Sequence, residues 1–512
     1  MKRFGGPVRR AGAVFFLSTF LLISLIPGLS RATSLTILHT NDTHGHLLPF
    51  SYPSMTSPCS PVADLQERNS IGGIARRATL VNQIRRDLKN KGIPVWLVDA
   101  GDFSDGTPFS TEYRGEADVA AMNAAGYDFA TLGNHEFNHA LPQTRKLISL
   151  TRYPILCANA VLTASGEHLA KPYAVEQVGP LRVGVFGLVT AEASSYPAAR
   201  EGVTIADEIK TAKKVVAELR SKADIIVLIS HCGQEVDRRL ASTVPDIDVI
   251  VGGHSHSRFP SGEFNWRSED LMADAVNGTV IVQAHQWGGE LGRCDLLFKK
   301  DSAGTWHVNR YRARLLPITV SVPPDPTVTA VVDRYWNPIA PRYAEVIGQA
   351  TGDFSSRNDD LAEYNLVSDA VRETFGTEVE LENLGGVRSP LVKGEITLGD
   401  LVALDPFENT VVTFRITGLR LRQVLKKHKP AVSGVRYRME NGELLEVAVN
   451  GQPLQDDRTY TGASNSHFAG YALRGLKVHD TRKKRVDVVI DDIRRKGIIR
   501  PLYDGRRVVI GR

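Results

Sequence analysis

The feature that most constrains this chain is a series of short apolar runs, rich in β-branched residues, that each end in polar or glycine residues. They are LTILHTND, VWLVDAGD, FATLGNHE, VGVFGLVT, DIIVLISHCG and DVIVGGHSH, spread from Ser34 to about residue 320. Continuous apolar runs of this length suit strands buried on both faces. Between them the spacing predicts helices over Ile74–Leu88 and Ala206–Leu219, the latter with Ile209, Ala212, Val216 and Leu219 along one face. Alternating strands and helices predict an α/β unit. Such sheets place ligands beyond the carboxyl ends of their strands, which is where the polar residues gather here.

At roughly 100–200 residues per domain, 512 residues predict two or three units, and two is the working number. The segment SVPPDPT at 321–327, with three prolines, marks the boundary. The predicted organisation is a first unit over 33–325, a linker helix over 326–350 interrupted at Pro338 and Pro341, and a second unit over 351–512. That second unit mixes helices with strands such as FRITGLRL and VRYRME and has Asn-Gly turns at 441 and 450.

Residues 1–32 read as a secretory signal: basic Lys2, Arg3, Arg9 and Arg10, the apolar run AVFFLSTFLLISLIPGL, and small residues suited to cleavage after Ala32. Periplasmic or secreted location follows, with an uncleaved signal anchor as the alternative. No later segment is apolar enough to span a membrane. Cys59, Cys157, Cys232 and Cys294 would then enter an oxidising compartment, where four cysteines allow three pairings; Cys157 and Cys232, at apolar strand ends, fit buried thiols equally well. With 42% hydrophobic and 23% charged residues the chain is neither disordered nor multispanning. A net charge of +5, with basic runs such as Arg482–Arg485 free of interleaved aromatics, fits solvated surface better than a nucleic-acid site, and no nucleic-acid polymer is expected as partner.

Taken together, the strand-end residues are Asp42 and His44 (D-x-H), Asp102 (GD), Asn134 (GNHE), His231, and His254 and His256 (H-x-H). Two carboxylates, one amide and four imidazoles are too many for one metal ion and match two that share a bridging carboxylate. Side chains two apart on an extended segment project the same way, so each pair is expected to face one ion. Mixed N/O donors favour Zn, Mn, Co, Ni or Fe over Ca or Mg, and the lack of thiolate ligands argues against a structural zinc site. Glu136 reads as fixing the turn after Asn134, and His285 as a structural histidine.

The order D-x-H, GD, GNHE, H, GH-x-H resembles the calcineurin-like metallophosphoesterases. GGIARRATLV, PILCAN and the C-terminal motifs below look like the 5'-nucleotidase family, over nearly all of the mature chain. The resemblance implies a four-layer αββα-type metallophosphoesterase domain followed by a smaller α+β substrate-binding domain. It implies one metal on Asp42, His44, Asp102 and His256 and a second on Asp102, Asn134, His231 and His254, with His135 acting on the substrate. Some members carry Gln or Asn where this chain has His256. Members usually read GNHEFD, the Asp bonding the catalytic His, whereas this chain reads GNHEFN and places Asn138 there. An Asn oxygen can accept the imidazole N–H but carries no charge, so a reduced or acid-shifted rate is expected, and Asn138→Asp is expected to raise the rate at neutral pH.

On the substrate side, NLGGVR (Asn383, Gly386, Arg388) resembles the family's NGGGIR, whose Arg binds phosphate. DPFENT (Phe407, Asn409) resembles the PFGN wall of a base-stacking slot, SNSHFAGY offers Phe468 as the other wall, and Arg357 matches a further phosphate-binding Arg. Two motifs depart: HFAGYALRG lacks the family's GGD, which bonds the sugar, and AEYNLVSDA alters a helix start. The implied activity is an exported phosphohydrolase acting on nucleoside 5'-monophosphates or related phosphoesters. Alternatives are a 2',3'-cyclic nucleotide or UDP-sugar hydrolase, a non-nucleotide phosphomonoesterase, and, in another class, a secreted binding protein weakened in catalysis.

Overall fold

The computed structural model describes residues 33–51, 70–259, 274–276, 278–354, 356–357 and 360–511. The signal segment 1–32 and Cys59 lie outside the described residues. Every apolar run of the first half becomes a strand. In chain order the elements are β1 (Thr33–Thr40), α1 (Ile74–Lys89), β2 (Val95–Asp99), α2 (Glu116–Ala125), β3 (Phe129–Ala130), α3 (Leu141–Leu150), β4 (Tyr173–Val178), β5 (Leu181–Val189), α4 (Glu208–Leu219), β6 (Ile225–His231), α5 (Gln234–Thr243), β7 (Val249–Gly252), β8 (Asp274–Val276), β9 (Thr279–Val282), β10 (Glu290–Lys300) and β11 (Trp306–Pro317).

Two sheets form, one five-stranded in the order β11-β10-β1-β2-β3, the other six-stranded in the order β8-β9-β7-β6-β5-β4. Strands β1, β2 and β3 run parallel, as do β5, β6, β7 and β9. Alternation along each strand assigns its two faces. Leu35 and Ile37 of β1, Val98 of β2, and Val227 and Ile229 of β6 meet in one core between the sheets. Leu38 and Leu97 turn outward onto Val81 and Met122 of α1 and α2, while Ile226 and Leu228 turn outward onto Val216 and Leu240 of α4 and α5. The result is four layers, helix, sheet, sheet, helix. Each buried Leu, Ile or Val contributes about 1.5–3 kcal/mol. Cys157, Cys232 and Cys294 are buried free thiols, and burial pushes Cys157 up to about 12.

After β11 the chain enters α6 (Pro326–Trp336), whose cap Asp325 accepts N–H bonds from Thr327 and Val328. The expected helix over 326–350 is interrupted as the prolines require, with a short turn at Ala340–Tyr343, but Val346–Ala350 is a strand. Val346 and Ile347 are β-branched, and the segment pairs with Gly394–Thr397 and Ile498–Ile499. The remainder builds further sheets. The elements nearest the site are α7 (Ala362–Phe375), β12 (Val379–Glu382), α8 (Leu398–Leu404), β13 (Thr410–Thr417), β14 (Ala431–Ser433), β15 (Thr459–Asn465), α9 (Ser466–Ala472), β16 (Val478–Lys484) and α10 (Arg485–Lys496). The strands pair in the order β14-β12-β15-β13-β16. Among the described residues no helix is long and apolar enough to cross a membrane.

Candidate metal centre

Five strands deliver the predicted ligands. Asp42 and His44 follow β1, Asp102 follows β2, Asn134 follows β3, His231 ends β6, and His254 and His256 follow β7. Three groups converge, each with its donor atoms within 4.8 Å of one another: Asp42, His44 and His256; His44, Asp102 and His135; Asp102, His231 and His254. Asp102 Oδ2 lies 3.1 Å from His231 Nε2 and 3.9 Å from His44 Nε2, so its carboxylate stands between the two ends of the cluster. Asp42 Oδ1 is 3.3 Å from His256 Nε2, and Asn134 Oδ1 is 3.2 Å from His231 Nε2.

The expected mechanism of convergence is corrected by the backbone. Neither the D-x-H nor the H-x-H segment is extended. Asp42 (φ 50°), His44 (46°), Asp102 (53°), His254 (71°) and His256 (50°) all adopt left-handed conformations. The chain turns sharply off each strand, and that turn aims the side chains. Such conformations cost an L-residue roughly 1–3 kcal/mol each and persist where surrounding bonds over-determine them. Here Asp42 N–H bonds Gly101 O, His44 N–H bonds Asp102 O, and Trp287 N–H bonds Asp42 O. Crowding explains the motif glycines as well: a Cβ on Gly133 would stand 2.0 Å from Asp102 Oδ1.

Backbone carbonyls set the histidines. His44 Nδ1 faces Asp105 O at 3.0 Å and His231 Nδ1 faces Ala100 O at 2.6 Å, so each donates from Nδ1 and turns an unprotonated Nε2 to the centre when a cation is bound. Asn134 Nδ2 donates to the Tyr196 hydroxyl at 2.9 Å, which leaves Oδ1 as the inward donor. Glu136 fixes the turn, as its place after Asn134 suggests. Its carboxylate accepts the N–H groups of Asp102, Ser104 and Gly133 and the Ser104 hydroxyl at 2.7–3.1 Å. Burial and the Asp102 charge push the Glu136 carboxyl upward, and the N–H groups of Ser104 and Gly133 oppose that shift. His285 holds the floor through its carbonyl, which accepts from Asn41 Nδ2 at 2.5 Å.

The charge pattern fits cations. Burial alone would raise the Asp102 carboxyl, but His231, His135 and His44 hold it well below the usual carboxylate range. Burial opposes a charge on His231, yet Asp102 and Asp42 push it up to about 10. Two buried carboxylates thus draw positive charge into a pocket of converging nitrogen and oxygen donors, a donor set suited to divalent ions of the first transition row.

Residues from the second half reach this centre. Arg388 Nη2 lies 2.8 Å from His44 Nε2, and Phe407 stacks on His135 with centroids 5.7 Å apart and planes 21° apart. Asn383, Gly386 and Asn409 sit behind them. The Gly386 carbonyl accepts from Arg485 Nη2 at 2.6 Å, Asn383 Oδ1 accepts from Asn465 Nδ2 at 2.8 Å, and the Asn409 carbonyl accepts the Arg485 N–H at 2.9 Å. Arg357 lies in a two-residue strand, Ser356–Arg357, and its side chain is outside the described residues.

Phe468 departs from expectation. It is 1% exposed, packed in the core beside Val424 and Leu473, and its ring offers no face to a ligand. Helix α9 turns Phe468, Ala469 and Ala472 inward and leaves His467 and Tyr471 exposed. Sequence reasoning also missed Asp105, Tyr196 and Glu192, the last 3.5 Å from His254 Nε2. None of the three stands in a spacing pattern with the ligands.

A four-layer sandwich carrying Asp, Asn and His at converging strand ends defines a metallophosphoesterase. Residues 35–258 match the calcineurin-like phosphoesterase family and residues 346–473 match the 5'-nucleotidase C-terminal domain. Protein UshA of Yersinia enterocolitica is 28% identical, over 84% of this chain and 84% of its own. A 5'-nucleotidase of Vibrio cholerae is 27% identical, over 84% of this chain and 83% of its own. The solved structure of a 5'-nucleotidase precursor from Thermus thermophilus superposes with a TM-score of 0.82 at 27% identity, over 94% of this chain and 100% of its own. The chain belongs to the 5'-nucleotidase family of metallophosphoesterases, enzymes that hydrolyse phosphoric esters.

Proposed function

We propose that the chain is an exported 5'-nucleotidase-like phosphohydrolase that releases phosphate from nucleoside 5'-monophosphates or related phosphomonoesters. The observation that carries this reading is the meeting of Arg388 and Phe407 with the Asp42, His44, Asp102 and His231 cluster. It joins an anion-binding guanidinium and an aromatic face to a donor set for cations.

Asp42, His44, Asp102 and His256 would hold one divalent ion, and Asp102, Asn134, His231 and His254 the other. Such ions supply Lewis acidity and a hydroxide nucleophile at neutral pH. The chain's own residues do the rest. Arg388 binds the phosphate oxygens through its planar fork of N–H donors. His135 faces the reacting group and donates a hydrogen bond where charge develops. Phe407 stacks on a planar base or ring. In this division residues 33–325 carry the cations and residues 351–512 the substrate contacts.

The test is phosphate release by the purified mature chain, supplemented with Mn²⁺, Zn²⁺ or Co²⁺, from a panel of nucleoside 5'-monophosphates, a 2',3'-cyclic nucleotide, a UDP-sugar and p-nitrophenyl phosphate. Preferred turnover of the 5'-monophosphates is expected. Preference for the cyclic nucleotide or UDP-sugar would redirect the substrate assignment. No metal-dependent turnover of any member would favour the binding-protein alternative, for which Asn138 is the one specific observation.

A further inference from the structure

We infer that Asp105 is a positioning residue: acting through Asn138, it sets which ring nitrogen of His135 carries the proton. Asp105 stands three residues beyond Asp102 in a left-handed turn, φ 64°, and is 8% exposed. Its N–H donates to Ser110 Oγ at 2.8 Å and its carbonyl receives His44 Nδ1 at 3.0 Å, so its backbone is tied down on both sides.

Asp105 Oδ2 accepts a hydrogen bond from Asn138 Nδ2. An ionised carboxylate only accepts, so this contact decides how the amide lies: NH2 toward Asp105, oxygen away. The same NH2 has a second hydrogen and stands 2.9 Å from His135 Nδ1. Nδ1 is therefore the acceptor, and the neutral ring carries its proton on Nε2. That nitrogen faces the cluster, 3.8 Å from Asp102 Oδ2. Rotation is blocked by Phe407 stacked on one face and by the edge contact of His44 at 5.0 Å. The carboxylate also polarises the amide it accepts from, which strengthens the bond onward to His135.

His135 thus presents an N–H donor to the site without first gaining a charge. The expectation that Asn138→Asp raises the rate is reversed by this geometry. An acid at 138 would meet Asp105 face to face, and one of the two would have to take up a proton or move away. The charge absent from position 138 is present one side chain further back.

The inference rests on the reading that His135 acts on the substrate, and its test separates the two. Long-range ¹H–¹⁵N spectra of ¹⁵N-histidine-labelled mature chain, with His135 assigned through His135→Gln, report the tautomer without turnover. The wild type is expected to show Nε2–H, Asp105→Asn to lose that preference, and Asp105→Asn/Asn138→Asp to show Nδ1–H. In the metal-loaded protein each single change is expected to lower kcat roughly tenfold or more with little effect on KM. The double change is expected to stay as low, because its Nδ1–H ring turns an unprotonated Nε2 to the site, and the tautomer read from the spectra separates this outcome from a packing role. Equal metal content across the variants excludes an effect through His44. An Nδ1–H ring in the wild type, or a tautomer and kcat unchanged in Asp105→Asn, would overturn the inference. An Nε2–H ring in a chain with no turnover would leave it standing and sink the phosphohydrolase reading instead.

Discussion

Arg388 Nη2 lies 2.8 Å from His44 Nε2, a contact spanning 344 positions of chain. Because His44 donates from Nδ1 to the Asp105 carbonyl, its Nε2 lone pair receives the guanidinium. Burial and the Arg388 charge together push His44 well below its ordinary value. The second half of the molecule therefore closes directly onto the metal-binding half. Arg388→Ala is expected to lower kcat/KM for a nucleoside monophosphate about 100-fold, mainly through KM, because a charge-assisted fork to phosphate is lost. Metal content by elemental analysis should not change. Loss of metal instead would place Arg388 among the groups that hold the cation pocket together.

Glu136 gathers three backbone N–H groups and one hydroxyl from Asp102, Ser104 and Gly133. Glu136→Gln keeps one oxygen and turns an NH2 toward donors that have no other acceptor. Urea unfolding should show a loss of about 2–4 kcal/mol, the cost of leaving buried donors unpaired. Metal affinity should fall with it, since the loop carrying Asp102 loosens.

Arg485 is fully buried between Glu382 and Asp405, at 2.5 and 2.6 Å, and also holds the Gly386 carbonyl. Arg485→Met leaves two buried acids without their partner and is expected to cost about 3–5 kcal/mol. Gly386 lies two residues from Arg388, so KM should rise in whatever folded fraction remains. Thermal unfolding and KM measured together check both halves of this expectation.

Asp237 lies behind the site, its Oδ1 accepting the Ser230 hydroxyl at 2.5 Å. Burial pushes its carboxyl up to about 7 from 3.8. The folded protein therefore binds a proton that the unfolded chain has released, and this group's contribution to stability falls as pH rises from about 4 through about 7. Asp237→Asn does not titrate. Its stability relative to wild type should rise across that window, by at most about 4 kcal/mol, and stay level on either side. Denaturant titrations of the metal-free protein at several pH values read this out; a difference independent of pH would contradict the assignment.

Much of the first half was legible because strands buried on both faces leave continuous apolar runs, and the runs at β1, β2, β6 and β7 end where the ligands stand. The Asn-Gly turns were legible for a similar reason. Asn441 and Gly442, and Asn450 and Gly451, both take the left-handed conformations that such hairpins demand. The local route to convergence was not legible. Side chains two apart were expected to project together from an extended chain, whereas left-handed turns at Asp42, His44, His254 and His256 do the aiming. A positive φ in a non-glycine residue is imposed by tertiary bonds that no spacing reveals.

Contacts made across the fold were equally silent. Asp105, Tyr196 and Arg485 act on Asn138, Asn134 and Gly386 only because distant turns meet. Phe468 illustrates the converse. An aromatic residue in a motif was expected to stack on substrate, but the periodicity of α9 sends it to the core and turns His467 and Tyr471 outward.

The metal-to-protein ratio of the mature chain, loaded with Mn²⁺ or Zn²⁺ and desalted, tests the dimetal assignment most directly when phosphate release from a nucleoside 5'-monophosphate is followed in the same sample. About two cations per chain are expected, with turnover lost on chelation and restored by adding metal. Fewer than about one cation per chain together with no phosphate release would contradict it.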